Sequence, residues 1–197
     1  GEGGLGQAIR ARLEREGYEI ESLDIRTGFD VADPGAWDEV EAVDVAFLNA
    51  GVTAATGDIR ELTDEDYARI LGVNVDGVVL GVRRLAQVMD GGAIVATASL
   101  AGLTAMPADP IYSLTKHAVV GFVRSVAPQL APIRINAVCP GLADTPMVDP
   151  QREAFAAKWS KTLGIPVRPL ATVEEVVRNA DLAIGCTTRT DIVSREP

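Results

Sequence analysis

The sequence predicts an α/β protein with a doubly wound parallel sheet, built as one domain over residues 1–197. Three observations predict it. Short apolar runs alternate with helix-period stretches from end to end, the pattern of a parallel sheet covered by helices on both faces. A chain of 197 residues suits one domain with a real core, and no repeat, low-complexity tract or Pro/Ser-rich linker marks a boundary. Hydrophobic residues make up 47% and charged residues 23%, as in a folded globular chain.

Each element follows from local chemistry. Leu5, Ile9 and Leu13 lie four apart on one helix face, and Gly17 is a stop. Tyr18 to Asp24 reads as a strand, although Glu19 and Glu21 suit a buried one poorly. Asp33-Pro34 opens a short helix to about Val43. Asp44 to Ala50 is an apolar strand closed by Gly51. Thr63 is a helix cap, with Asp66 three residues on, and a long helix follows to about Met89. Gly92 to Ser99 is the next strand, and Asp109-Pro110 opens a helix over 111–130. Ile133 to Val138 is a strand closed by Pro140-Gly141. Helices are expected over 150–162 and 173–184, and a short strand over Asp191 to Val193. Ligands bind at the carboxyl ends of strands in such folds, which directs attention to Asn49–Gly51, Ser99 and the segment after Pro140.

Charge excludes some partners. Eighteen basic against 28 acidic residues give a net charge of −10. With a pI near 4.6, no nucleic-acid partner is expected, since phosphate contacts need clustered Lys and Arg. The longest uncharged stretch, Gly91 to Ala108, contains Thr97, Ser99, Thr104 and Pro107 and does not read as a membrane span. Cys139 and Cys186 make no disulfide framework and no metal spacing, so a reducing, cytoplasmic setting is expected and no metal. Residue 1 is Gly and the sequence begins inside a motif, so a first strand is expected upstream of it.

Tyr112 and Lys116 carry the strongest chemical signal. They lie four apart on a predicted helix, so both side chains project from one face. With three Tyr in the chain and three Lys (Lys116, Lys158, Lys161), roughly 0.04 such pairs arise by chance. An ammonium beside a phenol favours the phenolate, which suits a general acid/base; the bland alternative is a surface Tyr with a solvated Lys. Ser99 ends a strand thirteen residues earlier and can donate to a substrate oxygen, though many strands end in Ser. Asn74 interrupts an apolar helix run, either as a buried amide satisfied by backbone or as the anchor of a water. Gly4-Leu5-Gly6 at a helix start lets a pyrophosphate approach, and Asp24, eighteen residues later, can accept from an adenosine ribose. Asp24 is equally an ordinary turn residue.

Together these residues resemble the compact, single-domain branch of the short-chain dehydrogenase/reductase family. The matching elements run in family order. They are Gly4-Leu5-Gly6, Asp24, Asp30-Val31, Asn49-Ala50-Gly51, Asn74, Ser99, Tyr112 to Lys116, and Pro140-Gly141 with Thr145. The resemblance implies a Rossmann-like sheet and a catalytic tetrad. Tyr112 would be the proton donor or base, and Ser99 would polarise the same oxygen. Lys116 would lower the Tyr112 pKa and bind the nicotinamide ribose, and Asn74 would anchor a relay water. It implies cofactor contacts at Gly4, Leu5, Gly6, Asp24, Ile25, Asp30, Val31, Asn49, Ala50, Gly51, Tyr112, Lys116, Pro140, Gly141 and Thr145. Asp24 favours NAD over NADP because a carboxylate repels a 2′-phosphate; Arg26 is the counterargument.

The sequence departs from the family pattern in places. The Thr-Gly that opens the glycine loop is absent, the interval from Asp24 to Asp30 is short, and Leu48 replaces the first Asn of Asn-Asn-Ala-Gly. The stretch from Gln129 to Ile133 is also short, and the frequent Val-Asp-Gly-Gly ending is missing. The expected activity is NAD(H)-dependent interconversion of a secondary alcohol and a ketone. The alternatives are a non-catalytic nucleotide-binding or regulatory protein, or an NAD-using isomerase or epimerase of the same superfamily. His117 reads as structural. Met106, Pro107, Ile111, Met147, Phe155 and Trp159 are candidates to line an apolar or mixed substrate pocket; Phe155 and Trp159, four apart, equally suit packing of the last helices. The broad apolar faces of the two long helices suit a homotetramer, with a dimer next.

Overall fold

The computed structural model describes residues 3–141, 143 and 147, and the backbone of 184–186. Two compact units are present: residues 1–30 with 140–181, and residues 31–139 with 182–197.

In the first unit, helix α1 spans Gly4–Arg15. It stops as its sequence requires: Gly17 turns to φ +87°, its amide bonding to the Glu14 carbonyl and that of Tyr18 to Leu13. Tyr18 to Leu23 is irregular, not the expected strand. A strand exists only through a ladder partner, and among the described residues none pairs with this segment. Asp24 instead caps a 3₁₀ turn over Ile25–Thr27, its carboxylate accepting from the Arg26 amide while its own amide donates to Thr27 Oγ1.

The second unit holds the sheet: β1 Val45–Leu48, β2 Ala93–Thr97, β3 Arg134–Val138 and β4 Ile184–Cys186, in that spatial order. The first three are parallel, with Val45 opposite Ala93 and Ala93 opposite Arg134. Strand β4 runs antiparallel to β3, with Ile135 opposite Cys186, where the sequence suggested a helix end. The expected elements over 150–162, 173–183 and 191–193 lie outside the described residues.

Helices return the chain between the parallel strands. Thr63 caps α2, Asp64–Leu71, through the Asp66 amide as its spacing predicts. The expected long helix is continuous but not uniform: a π-helical turn over Gly72–Asp76 separates α2 from α3, Gly77–Val88. Helix α3 lies close against the sheet, because a Cβ at Gly81 would sit 2.7 Å from both Leu48 and Trp37. The turn Pro34–Glu39 is 3₁₀ rather than α; Trp37 is buried there and donates to the Val31 carbonyl at 2.9 Å. Helix α4, Pro110–Val126, opens at the predicted Asp109-Pro110 and runs into a 3₁₀ turn over Ala127–Gln129.

The core lies where these faces meet: Ile70, Val78, Val82 and Leu85 from the α2–α3 rod, Ile94 and Ile135 from the sheet, Val119 and Val123 from α4. Gly92 has to be glycine. At φ +96° its missing Cβ would fall 2.2 Å from the Asp44 carbonyl oxygen, beside the bond from Ala93 to that same oxygen. No helix among the described residues is long and apolar enough to cross a membrane.

Candidate active site

The parallel strands end side by side, and the residues just beyond them are Asn49, Ser99 and Cys139. Helix α4 crosses nearby and contributes Tyr112 and Lys116. A Cβ on Gly102 would sit 2.5 Å from the Lys116 carbonyl oxygen, so the turn after Ser99 touches the helix backbone directly.

Lys116 is only 2% exposed. Its Nζ donates to the Thr97 carbonyl at 2.8 Å and lies 5.5 Å from the centre of the Tyr112 ring. Burial pushes its pKa down to about 8, against a smaller upward pull from Cys139. Gly51 leaves bare backbone beside it: an added Cβ would stand 3.3 Å from Nζ and 3.5 Å from Asn74 Oδ1.

The Tyr112 hydroxyl is raised above its ordinary pKa, chiefly by burial and also by the Asp109 charge, while a hydrogen bond with Ser99 pulls the other way. The sequence reading gave Lys116 the lowering role. Here its ammonium is turned to Thr97, and Ser99 is what favours the phenolate. Ser99 also caps the turn Leu100–Gly102 by accepting from Ala101.

Asn74 sits inside the π-helical turn and is fully buried. Its Oδ1 accepts from the Val52 amide at 2.8 Å, and its Nδ2 donates to the Val52 carbonyl at 2.9 Å and to Thr115 Oγ1 at 3.0 Å. Both amide protons are therefore committed to protein groups, as in the plainer of the two sequence readings. A π turn inside an α-helix recurs at functional sites.

The structure thus brings Asn49, Ala50, Gly51, Asn74, Ser99, Tyr112 and Lys116 into one unit. Val31 belongs to the same unit, its side chain 2.8 Å from where a Gly77 Cβ would be. Gly4, Leu5, Gly6, Asp24, Ile25, Asp30, Pro140 and Gly141 belong to the other unit, and Thr145 lies outside the described residues. Helix α1 begins with Gly3 as its cap, with no side-chain cap bond and no acidic residue in its first turn.

Sequence reasoning missed two residues. Thr97 holds Lys116 through its carbonyl and Asn49 Oδ1 through its hydroxyl. Thr115, fully buried, accepts from Asn74 and donates to the Tyr112 carbonyl at 2.7 Å. A hydroxyl one residue before Lys116 was the available signal for the second. His117 is exposed and bonds back to the Ser113 carbonyl, a local helix contact. Met106 and Ile111 are core residues, 8% exposed each, while Met147 is exposed. Phe155 and Trp159 lie outside the described residues. Cys139 is partly buried, and burial pushes its thiol up. Among the described residues no cluster of His, Cys, Asp or Glu could hold a metal ion.

A family model described as enoyl-(acyl carrier protein) reductase matches residues 34–182. The chain belongs to the short-chain dehydrogenase/reductase family. Relatives within the family agree. An uncharacterised NAD-dependent oxidoreductase of Mycobacterium tuberculosis is 34% identical over 180 residues, covering 84% of this chain. The chain spans 64% of that relative's length. The 2-(R)-hydroxypropyl-CoM dehydrogenase of Xanthobacter autotrophicus is 33% identical over 181 residues, covering 84% of this chain and 72% of that protein. Two solved structures share the fold. A 3-ketoacyl-(acyl-carrier-protein) reductase from Brucella melitensis complexed with NADH has a TM-score of 0.77 at 23% identity, covering 90% of this chain and 85% of its own. A small-chain dehydrogenase in complex with NADPH has a TM-score of 0.77 at 22% identity, covering 91% of this chain and 85% of its own. Family relatives are thus NAD(P)-dependent oxidoreductases, and both nicotinamide dinucleotides occur among the structural neighbours.

Proposed function

We propose that this short-chain dehydrogenase/reductase interconverts a secondary alcohol and a ketone with NAD(H), using Tyr112 as general acid and base. The observation that carries the reading is the grouping of Tyr112, Ser99 and Lys116 where three parallel strands end. A phenol held above its ordinary pKa remains protonated at neutral pH, the state that can donate to a ketone oxygen. Ser99 is placed to hydrogen-bond that same oxygen and to favour the phenolate that donation leaves behind.

Each unit taken by itself offers groups that suit one part of a dinucleotide. The bare backbone at Gly51 beside the Lys116 amine suits a ribose hydroxyl, and the uncapped glycine start of α1 suits a pyrophosphate. When bound, the dinucleotide supplies the hydride. Lys116, Gly51 and Asn49 would hold its nicotinamide half, with Pro140, Gly141 and Thr145 beside the carboxamide. Gly4, Leu5, Gly6, Asp24, Ile25, Asp30 and Val31 would hold the adenosine half. The Asp24 carboxylate favours NAD(H) over NADP(H), and the reading includes a cytoplasmic homotetramer acting on an apolar or mixed small molecule.

Titration with NADH and NADPH, followed by a screen of ketones and secondary alcohols with wild type and Tyr112→Phe, tests the reading. Tight NADH binding with turnover that falls at least about 100-fold in Tyr112→Phe is expected. Binding without turnover of any substrate would leave a nucleotide-binding protein, and no binding at all would refute both.

A further inference from the structure

Two hydrogen-bond paths run from the loop after β1 to the backbone of Tyr112. In the first, Asp109 Oδ1 accepts from the Tyr112 amide at 2.8 Å and Oδ2 from the Ala54 amide at 2.9 Å. The second passes from Val52 through Asn74 and Thr115 to the Tyr112 carbonyl. The same loop is tied outward to α2: Arg69 donates to the Thr53 carbonyl at 2.8 Å, and the Ala55 amide donates to Asp66 at 2.7 Å. It also packs tightly on the residue before Asp109, since a Cβ at Gly57 would fall 2.2 Å from the Ala108 carbonyl oxygen.

A helix cap needs one acceptor, which a serine hydroxyl supplies. Asp109 goes further. It is 7% exposed, and its second oxygen reaches a residue 55 positions earlier in the chain. Burying a carboxylate is costly unless its oxygens are bonded, and here two backbone amides from separate elements bond it.

We propose that Asp109 is a positioning residue that fixes the Tyr112 backbone against the loop over residues 49–55, so that the acid/base group and the nucleotide-lining loop keep one geometry. The inference rests on the oxidoreductase reading above. Asp109 acts through the Tyr112 and Ala54 amides. Among the described residues, the groups facing the Tyr112 ring and hydroxyl are Lys116 from the same helix and Ser99 beyond β2. Cys139 beyond β3 exerts a small upward pull on Lys116. Burial is the chief cause that raises the Tyr112 hydroxyl, and the Asp109 charge adds to it.

Two variants of the full chain separate positioning from capping. Asp109→Ser keeps an acceptor for the Tyr112 amide and releases Ala54; Asp109→Asn keeps the size and removes the charge. Three readouts are taken: NADH affinity with kcat on a responsive ketone, amide hydrogen exchange at Ala54, and the 295 nm tyrosinate titration assigned by difference from Tyr112→Phe. In Asp109→Ser, NADH binding weakens and kcat falls, each about 10-fold, with faster exchange at Ala54. The Tyr112 titration moves to lower pH in both variants. Wild-type values of kcat, NADH affinity and Tyr112 titration in Asp109→Ser would overturn the proposal and leave Asp109 a helix cap. An inactive wild type would sink the oxidoreductase reading instead. Exchange and titration need no turnover, so unchanged values there would still refute the positioning role independently.

Discussion

Replacing Lys116 with Met should stabilise the protein at neutral pH while abolishing the proposed turnover. The amine is 2% exposed and its pKa falls from 10.5 to about 8. A fall of that size corresponds to about 3 kcal/mol of unfavourable burial of the ammonium. Met fills a similar volume without a charge, and loses the bond to the Thr97 carbonyl, worth about 1 kcal/mol. Lys116→Met is therefore more stable than wild type by about 2 kcal/mol at pH 7, or roughly 4–8 °C in Tm. The sign fixes the pH dependence. The folded pKa is depressed, so the unfolded chain binds the extra proton between about pH 8 and 10.5. Wild-type stability from this group is complete above 10.5, is lost as pH falls toward 8, and stays lost below that. Urea unfolding of both proteins from pH 6.5 to 10 measures it. The advantage of Lys116→Met should hold constant below about pH 7.5, shrink through pH 8 to 10, and turn into a deficit of about 1 kcal/mol above pH 10.5, where only the lost Thr97 bond remains. A stability difference that stays flat over that range, or a variant less stable than wild type at pH 7, would refute the reasoning. Loss of turnover alongside the gain is the expected trade at a functional site.

Other outcomes follow from named contacts. Thr115→Val leaves Asn74 Nδ2 with one acceptor fewer and the Tyr112 carbonyl without its hydroxyl donor, so stability should fall by about 1–3 kcal/mol in urea unfolding, with reduced kcat. Gly92→Ala places a methyl against the Asp44 carbonyl at positive φ, and calorimetry should show a loss of at least about 2 kcal/mol. Because Tyr112 is raised, ketone reduction should stay level through neutral pH and decline only on the alkaline side, where alcohol oxidation rises; pH profiles of kcat in both directions check this. Asp24→Ala should narrow the NADH-over-NADPH affinity ratio about 10-fold, read by fluorescence titration.

Much of the site was legible because its signals are local. Tyr112 and Lys116 share a helix face through a spacing of four, Asp109-Pro110 and Thr63 announce helix starts, and apolar runs mark three parallel strands. What escaped was every feature that depends on a distant partner. The π turn at Asn74 accompanies bonds to Val52, twenty-two residues away, which helical periodicity cannot report. The segment from Tyr18 to Leu23 carries strand-like residues, yet strand formation depends on a neighbour to pair with. Asp24 reads both as a ribose acceptor and as a turn cap, and the structure gives it the capping bonds.

Local periodicity and spacing in the sequence were enough for the three parallel strands, the helix starts at Thr63 and Asp109-Pro110, the family, and the spacing of four that marks Tyr112 and Lys116 as candidates. The tertiary structure alone decided the electrostatics. Burial set Lys116 low and Tyr112 high, the Thr97 carbonyl claimed the ammonium, and Asp109 joined two segments 55 residues apart. Desolvation and long-range hydrogen bonds arise only when separate parts of the chain exclude water together, and one-dimensional spacing does not encode where that happens.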